Sequence, residues 1–161
     1  MPSLRFGRVV SPIGPLWVAE TDVGVAACAR SDDPTALLAG LRRRFPSVEP
    51  EAAEIDVAWL QDGAAPPLDL AGLREFDARV YEVVRLVPAS ETVTYGEVAA
   101  LLGSPGAARA VGGAMSRCPL FPAVPCHRVV RASDGWSGWG GDPAVKRRLL
   151  AAERRAVHGR R

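Results

Sequence analysis

The chain has 161 residues, 48% of them hydrophobic and 24% charged, with a net charge of +2. This is the profile of a globular protein long enough to bury a core, and no apolar run approaches the ~18 residues of a membrane span. Three cysteines and two histidines, with no CxxC or HxxxH spacing, speak against both a structural zinc site and a disulfide framework.

The N-terminal MPSLRFGRVV lacks the layout of a secretory signal, so a cytosolic protein with reduced thiols is expected. LRFGRVV and PLWVAET flank SPIG, whose Pro12 and Gly14 favour a turn, which predicts a hairpin. VGVAACAR supplies a third strand. DPTALLAGLRRRF predicts a helix, with Asp33 as N-cap, Pro34 in the first position and Leu37, Leu38 and Leu41 on one face. From Pro46 to Pro67 the chain is acidic and Pro-rich with weak periodicity, and reads as a linker.

Beyond residue 71 the character changes. Residues 1–71 carry six Arg against ten acidic residues, whereas residues 72–161 carry thirteen Arg and one Lys against eight. A basic half points to an anionic partner, nucleic acid first, or to a solvated Arg-rich surface; charge alone leaves both open. LREFDARVYEVVRLV places Leu73, Phe76, Val80, Val83 and Val84 at helical spacing. TYGEVAALLG predicts a short helix with Thr94 and Glu97 as a capping box and Gly103 as its stop. In SPGAARAVGGAMSR, Ser104 and Pro105 are expected to open another helix, so that the pair resembles a helix-turn-helix. DPAVKRRLLAAERR predicts a last helix, with Asp142 as cap and Pro143 next.

The second helix of the pair is unusual because it offers Ala107, Ala108, Ala110, Gly112, Gly113 and a single arginine, Arg109. Small residues allow close approach either to a narrow groove or to a neighbouring helix. Further on, FPAVPCHRVV sets Cys126 directly before His127 and Arg128. Cys126 is either a small buried hydrophobe or a thiolate whose proton is taken by a base. In an extended segment neighbouring side chains diverge, so Cys126 and His127 would need a bend or a bridging water to cooperate. Glu153 is available to orient the imidazole.

VPCHRVV, preceded by GAARAVGGAM and by TYGEVAALLG, resembles the O6-alkylguanine-DNA alkyltransferases, the methylated-DNA–protein-cysteine methyltransferases. The similarity runs from about Phe76 to Glu153, and SPIGPLWVA resembles a strand of that family's N-terminal domain. The resemblance implies an α/β (α+β) protein of two domains. Residues 1–71 would form a small ribonuclease-H-like sheet-and-helix domain with linker. Residues 72–161 would form a mostly helical DNA-binding and alkyl-acceptor domain.

The resemblance implies that Cys126 accepts the alkyl group irreversibly, that His127 acts through a water as base, and that Glu153 holds His127. Tyr95 would contact the target base. The backbones of Cys126, Val129 and Gly140 would hold it after flipping. Arg109 would fill the gap left in the duplex, with Ala108, Ala110 and Gly112 allowing minor-groove approach. Arg128, Arg131, Arg147 and Arg148 are expected among the phosphate contacts. The implied partner is double-stranded DNA containing O6-alkylguanine, with no cofactor, metal or membrane, and a monomer in the cytoplasm.

Two positions depart from the family pattern: Cys118 stands where Asn is usual, and Trp139, near Trp136, stands where Tyr is usual. Cys118 is expected to loosen the coupling that an Asn side chain provides, and to be alkylated itself or pair oxidatively with Cys126. Trp139 is expected to reshape the pocket wall. Cys28 reads as a core residue. Three other functions fit the sequence less well. An alkyltransferase-like lesion-binding protein would keep the fold and the arginine but generally lacks the acceptor cysteine. A Cys–His hydrolase lacks an Asn or Asp orienter at nearby spacing, and a plain helix-turn-helix regulator leaves PCHR unexplained.

Overall fold

The computed structural model describes residues 3–62, 64–133 and 143–159. Two compact units divide it: residues 1–74 with 119–123, and residues 75–118 with 124–161.

In the first unit, β1 (Leu4–Ser11) and β2 (Gly14–Thr21) pair antiparallel in the register Leu4 to Thr21 through Ser11 to Gly14. The turn holds because Gly14 takes φ +96°, which an L side chain resists, and Ser11 Oγ donates to the Gly14 carbonyl at 2.6 Å. β3 (Val25–Ala29) pairs antiparallel with β2. The outer edge of β3 is covered: Val25 N–H donates to Pro67 O, Asp69 N–H to Val25 O, and Cys28 N–H to Pro119 O.

Helix α1 (Thr35–Arg44) brings Leu37 and Leu41 against Leu4, Ala19, Ala26 and Ala27, and Phe6 and Trp17 border this core. It starts one residue later than expected. Pro34 occupies the cap and offers no side-chain acceptor, so Asp33 Oδ1 instead accepts from Thr35 N–H at 2.9 Å and from its hydroxyl. The stretch read as a linker contains more than a linker. β4 (Glu51–Ala52) adds to β1 in parallel, giving the order β3-β2-β1-β4, and α2 (Ala58–Asp62) follows. Two paired residues are too short a run to register as periodicity. Arg44 closes the unit by donating to the carbonyls of Ala26, Asp69 and Ala71.

In the second unit, α3 (Glu75–Val84) buries Asp77, Val80, Tyr81 and Val84. The buried face is rotated from the apolar stripe expected: Val83 and Phe76 are only half-buried, and Asp77 and Tyr81 turn inward. Each polar group finds a partner. Asp77 accepts two hydrogen bonds from Arg117, at 2.9 and 3.0 Å, and the Tyr81 hydroxyl donates to Ala114 O at 2.7 Å. Replacing Tyr81 by Phe should cost about 0.5–1.5 kcal/mol, because the buried Ala114 carbonyl loses its donor. Urea midpoints of the two proteins check this.

β5 (Val93–Thr94) leads directly into α4 (Tyr95–Leu101). Thr94 Oγ1 accepts from Glu97 N–H at 3.0 Å, which is the expected cap. Gly103, at φ +76°, ends the helix, and Ser104 N–H reaches back to Ala99 O. α5 (Ala108–Ser116) begins later than Ser104, because residues 104–107 are spent on a turn closed from Ala107 N–H to Ser104 O. β6 (Val129–Val130) pairs in parallel with β5, and α6 (Pro143–Gly159) completes the unit. The expected cap Asp142 lies outside the described residues. Among these residues no helix is long and apolar enough to cross a membrane.

Candidate active site

Cys126, His127 and Arg128 form a single 3-10 turn, entered from Pro125, rather than an extended segment. Arg128 N–H donates to Pro125 O, and Val129 N–H to Cys126 O, which closes the turn. In such a turn neighbouring side chains lie about 120° apart rather than on opposite faces as in a strand, so a bridging water is still needed between Cys126 and His127. Cys126 is 0% exposed and His127 is 3% exposed.

The parallel β5–β6 pair sets the rest of the constellation. Val93 lies opposite Val129 and Thr94 opposite Val130, so the next residue along β5, Tyr95, starts α4 beside the turn's exit. Tyr95 also borders α5: its ring lies 4.0 Å from where a Cβ on Gly112 would stand. On α5, Arg109 and Ala110 are exposed, while Ala108 and Gly112 are half-buried. The helix therefore presents one long cation among very small side chains. Trp139 and Gly140 lie outside the described residues, as does Trp136.

Glu153, on α6, organises the charges. Its Oε1 lies 2.7 Å from His127 Nε2 and accepts from Arg128 Nη2 at 2.6 Å. Its Oε2 accepts from Arg128 Nε at 3.1 Å and from Ser90 N–H at 3.2 Å. Burial by itself would raise the Glu153 pKa. The hydrogen bonds from His127 and Arg128 outweigh it and hold the carboxyl at about 2. Burial is also the chief influence on His127, and it lowers the pKa. The Glu153 hydrogen bond works the other way, and the Arg128 and Lys146 charges lower it further. A neutral imidazole whose Nε2–H is given to an ionised carboxylate has Nδ1 as its basic nitrogen. Such a group can take a proton from a nearby thiol or water.

Arg128 differs from expectation. Expected at a DNA phosphate, its guanidinium binds Glu153 and Val87 O, and its side chain is 13% exposed. A phosphate contact would have to draw donors from a half-buried carboxylate. Arg131, Arg147 and Arg148 are exposed, as a phosphate contact requires.

Two participants escaped the sequence reading. Lys146 is 1% exposed and sits two turns before Glu153 on α6, close enough to act on His127. Only its helical spacing from Glu153 hinted at a shared face. Ser90 adopts φ +68°, unusual for a residue other than Gly, Asn or Asp, and this conformation accompanies the N–H aimed at Glu153. Nothing in PASET signals it.

Comparison with known proteins places this geometry in a family. Residues 75–155, half of the chain, match the model of the 6-O-methylguanine DNA methyltransferase DNA-binding domain. The methylated-DNA–protein-cysteine methyltransferase of Mycobacterium bovis is 34% identical over 94% of this chain and 93% of its own length. The crystal structure of Mycobacterium tuberculosis OGT in complex with DNA matches with a TM-score of 0.69 at 34% identity, covering 92% of each chain. A DNA base-flipping protein of Thermus thermophilus is 39% identical over 89% of this chain and 95% of its own length. A further relative, from Mycolicibacterium paratuberculosis, is 50% identical over 88 residues, and the match spans about half (53%) of its length. The chain belongs to the methylated-DNA–protein-cysteine methyltransferase family.

Proposed function

We propose that the chain repairs alkylated DNA by moving one alkyl group from guanine O6 to Cys126, once and irreversibly. The observation that carries this reading is the Cys126–His127 turn, with His127 Nε2 held 2.7 Å from Glu153. The Cys126 proton passes through a water to His127 Nδ1. The thiolate attacks the alkyl carbon in line, the S–C bond forms as the C–O bond breaks, and the electron pair stays on the guanine. A thioether has no easy return path, so each molecule turns over once.

Docking of α5 in the minor groove suits a protein that must ignore sequence, because small side chains approach closely and read little. Arg109 fills the space of the flipped nucleotide and offsets part of the few kcal/mol that unstacking costs. Tyr95, Val129, Trp139 and Gly140 line the base pocket in this reading. The N-terminal residues 1–71 act as a supporting domain, and residues 72–161 carry DNA binding and the acceptor. A monomer in the cytoplasm completes the proposal, since a single lesion calls for one pocket.

The test is intact mass after incubation with a duplex carrying one O6-methylguanine, followed by peptide mapping. A stoichiometric gain of one methyl on Cys126 supports transfer. The Thermus thermophilus relative is named a DNA base-flipping protein, and the second reading is that this chain flips and binds a lesion without transfer. Preferential binding of the lesion duplex with no gain in mass would establish that reading instead.

Arg109→Ala should slow transfer from duplex DNA strongly while leaving the rate with a free O6-alkylguanine base unchanged. The free base needs no flipping, so equal losses on both substrates would remove Arg109 from the flipping step. Parallel rate measurements on the two substrates decide it.

A further inference from the structure

Helix α5 carries Arg109, and the way it is fixed begins on α3. Asp77 and Tyr81 stand four positions apart, so both project from one face of α3. Ala114 and Arg117, three positions apart at the C-terminal end of α5, meet them there. The Tyr81 hydroxyl donates to Ala114 O at 2.7 Å. Arg117 donates from Nη2 to Asp77 Oδ1 at 2.9 Å and from Nε to Oδ2 at 3.0 Å. A guanidinium engaged through two parallel bonds is held in orientation as well as in distance, which a single contact does not achieve. A further tie from α3 reaches the other helix of the pair: Arg79 Nη2 donates to Leu102 O, just past α4, at 2.8 Å. Both helices are therefore backed by α3.

The two ends of α5 are held differently. Its first turn has no side-chain cap, because Ala107 supplies no acceptor. At the other end the Asp77 side chain is 7% exposed and that of Arg117 is 45% exposed, so the arginine reaches inward from the surface to an acid that belongs to the interior. A buried carboxylate that loses its partner is costly, which keeps this end of the helix seated. The paired glycines of α5 serve separate tasks. A Cβ on Gly113 would lie 3.1 Å from Arg117 Nη1, inside the ~3.5 Å of ordinary contact, so the guanidinium folds back through space that only glycine leaves. A Cβ on Gly112 would instead meet the Tyr95 ring at 4.0 Å. Gly112 thus borders the candidate site, and Gly113 makes room for the clamp.

We infer that Asp77 and Arg117 are positioning residues for nucleotide flipping: their clamp fixes the seat of α5 on α3, and through it the place from which Arg109 enters the duplex. The inference rests on Arg109 acting in flipping. Arg109 and Arg117 are eight positions apart, about 12 Å along a helix that rises ~1.5 Å per residue. Tilting α5 by about 5° around its clamped end would therefore carry Arg109 by about 1 Å. A misplacement of about 1 Å costs on the order of 10²-fold in rate where a reaction depends on alignment. Neither clamp residue touches the substrate in this role, and both act through Arg109.

Asp77→Asn, Arg117→Gln and Gly113→Ala break the clamp by three routes: a lost charge, a lost fork, and a methyl group in the space of the guanidinium. Gly113→Ala also exchanges a poor helix former for the best one, so the helix itself should survive. For the full-length parent and each variant, transfer from a duplex carrying O6-methylguanine is compared with transfer from the free O6-methylguanine base. Flipping is read separately by the fluorescence of 2-aminopurine placed beside the lesion. Each variant should slow the duplex reaction by roughly 10–100-fold and weaken the flipping signal, with the free-base rate unchanged. Combined with Arg109→Ala, each should slow the duplex reaction no further than Arg109→Ala alone. A merely structural pair would lower both rates together and add to Arg109→Ala, which would overturn the inference. Slowing by Arg117→Gln with Asp77→Asn at the parental rate would overturn it too, by making Arg117 a direct phosphate contact. Should a polar variant fail to fold, seen as loss of the free-base rate, Gly113→Ala decides. A parent that flips without transfer defeats the transfer reading, and the flipping signal then tests the clamp by itself; a parent that does neither overturns both.

Discussion

Replacing Cys126 by alanine should abolish alkyl uptake while leaving recognition of O6-methylguanine DNA in place. The expected loss is complete because the proposed reaction stores its product on that sulfur, and no other group at the turn is a comparable nucleophile. Binding should survive, because the residues assigned to the groove lie on α5 and the Cys126 side chain is fully buried. The measurements are methyl uptake in a stoichiometric mix and the affinity ratio between lesion and undamaged duplexes. Uptake at parental stoichiometry in Cys126→Ala, mapped to Cys118, would move the acceptor to the other thiol. Serine at 126 should be nearly as inactive, since a hydroxyl yields its proton to an imidazole far less readily than a thiol does.

Glu153→Gln carries the second large effect, on rate and stability together. Glu153 accepts from His127, from Arg128 Nε and Nη2 and from Ser90 N–H, so its neutralisation leaves a half-buried guanidinium without its counter-charge. Removing one partner of a fully buried pair costs about 3–5 kcal/mol, and this partly buried one should lose less, readable as a drop in the urea midpoint. Transfer should slow by roughly 10²–10⁴-fold, the usual worth of a positioned general base, because the glutamine amide no longer dictates the imidazole tautomer.

The pH dependence carries a definite sign. The Glu153 hydrogen bond raises the His127 pKa against burial, so the Gln variant should titrate His127 at lower pH than the parent. An NMR titration of the imidazole reads that shift directly. Stability follows the same logic. His127 is held below the ordinary histidine value of 6.5, so its contribution is present above pH 6.5 and is lost as pH falls through its folded value. Glu153 is held at about 2 rather than 4.5, so its contribution is present above pH 4.5 and lost as pH falls toward 2. The parent should weaken steadily from just below pH 6.5 downward, while Glu153→Gln should lose the lower part of that dependence. An unchanged slope between pH 4.5 and 2 would remove Glu153 from the balance.

Much of this protein is local and therefore legible along the chain. The hairpin around Pro12 and Gly14, the Thr94 cap and the Gly103 stop rest on one or two residues whose backbone preferences act at short range. So does the pairing of Cys126 with His127 as a candidate centre, because both residues belong to one short motif. What the sequence left undecided depends on partners far along the chain. β4 forms because β1 offers an edge, not because two residues have strong propensity. Asp77 and Tyr81 turn inward because Arg117 and Ala114 O, more than thirty positions away, satisfy them. Arg128 reads as a phosphate contact in isolation, and becomes an internal cation only once Glu153, twenty-five positions away, is brought to it. A charge shows its sign in the sequence, but whether it meets solvent or a buried counter-charge is decided by packing alone.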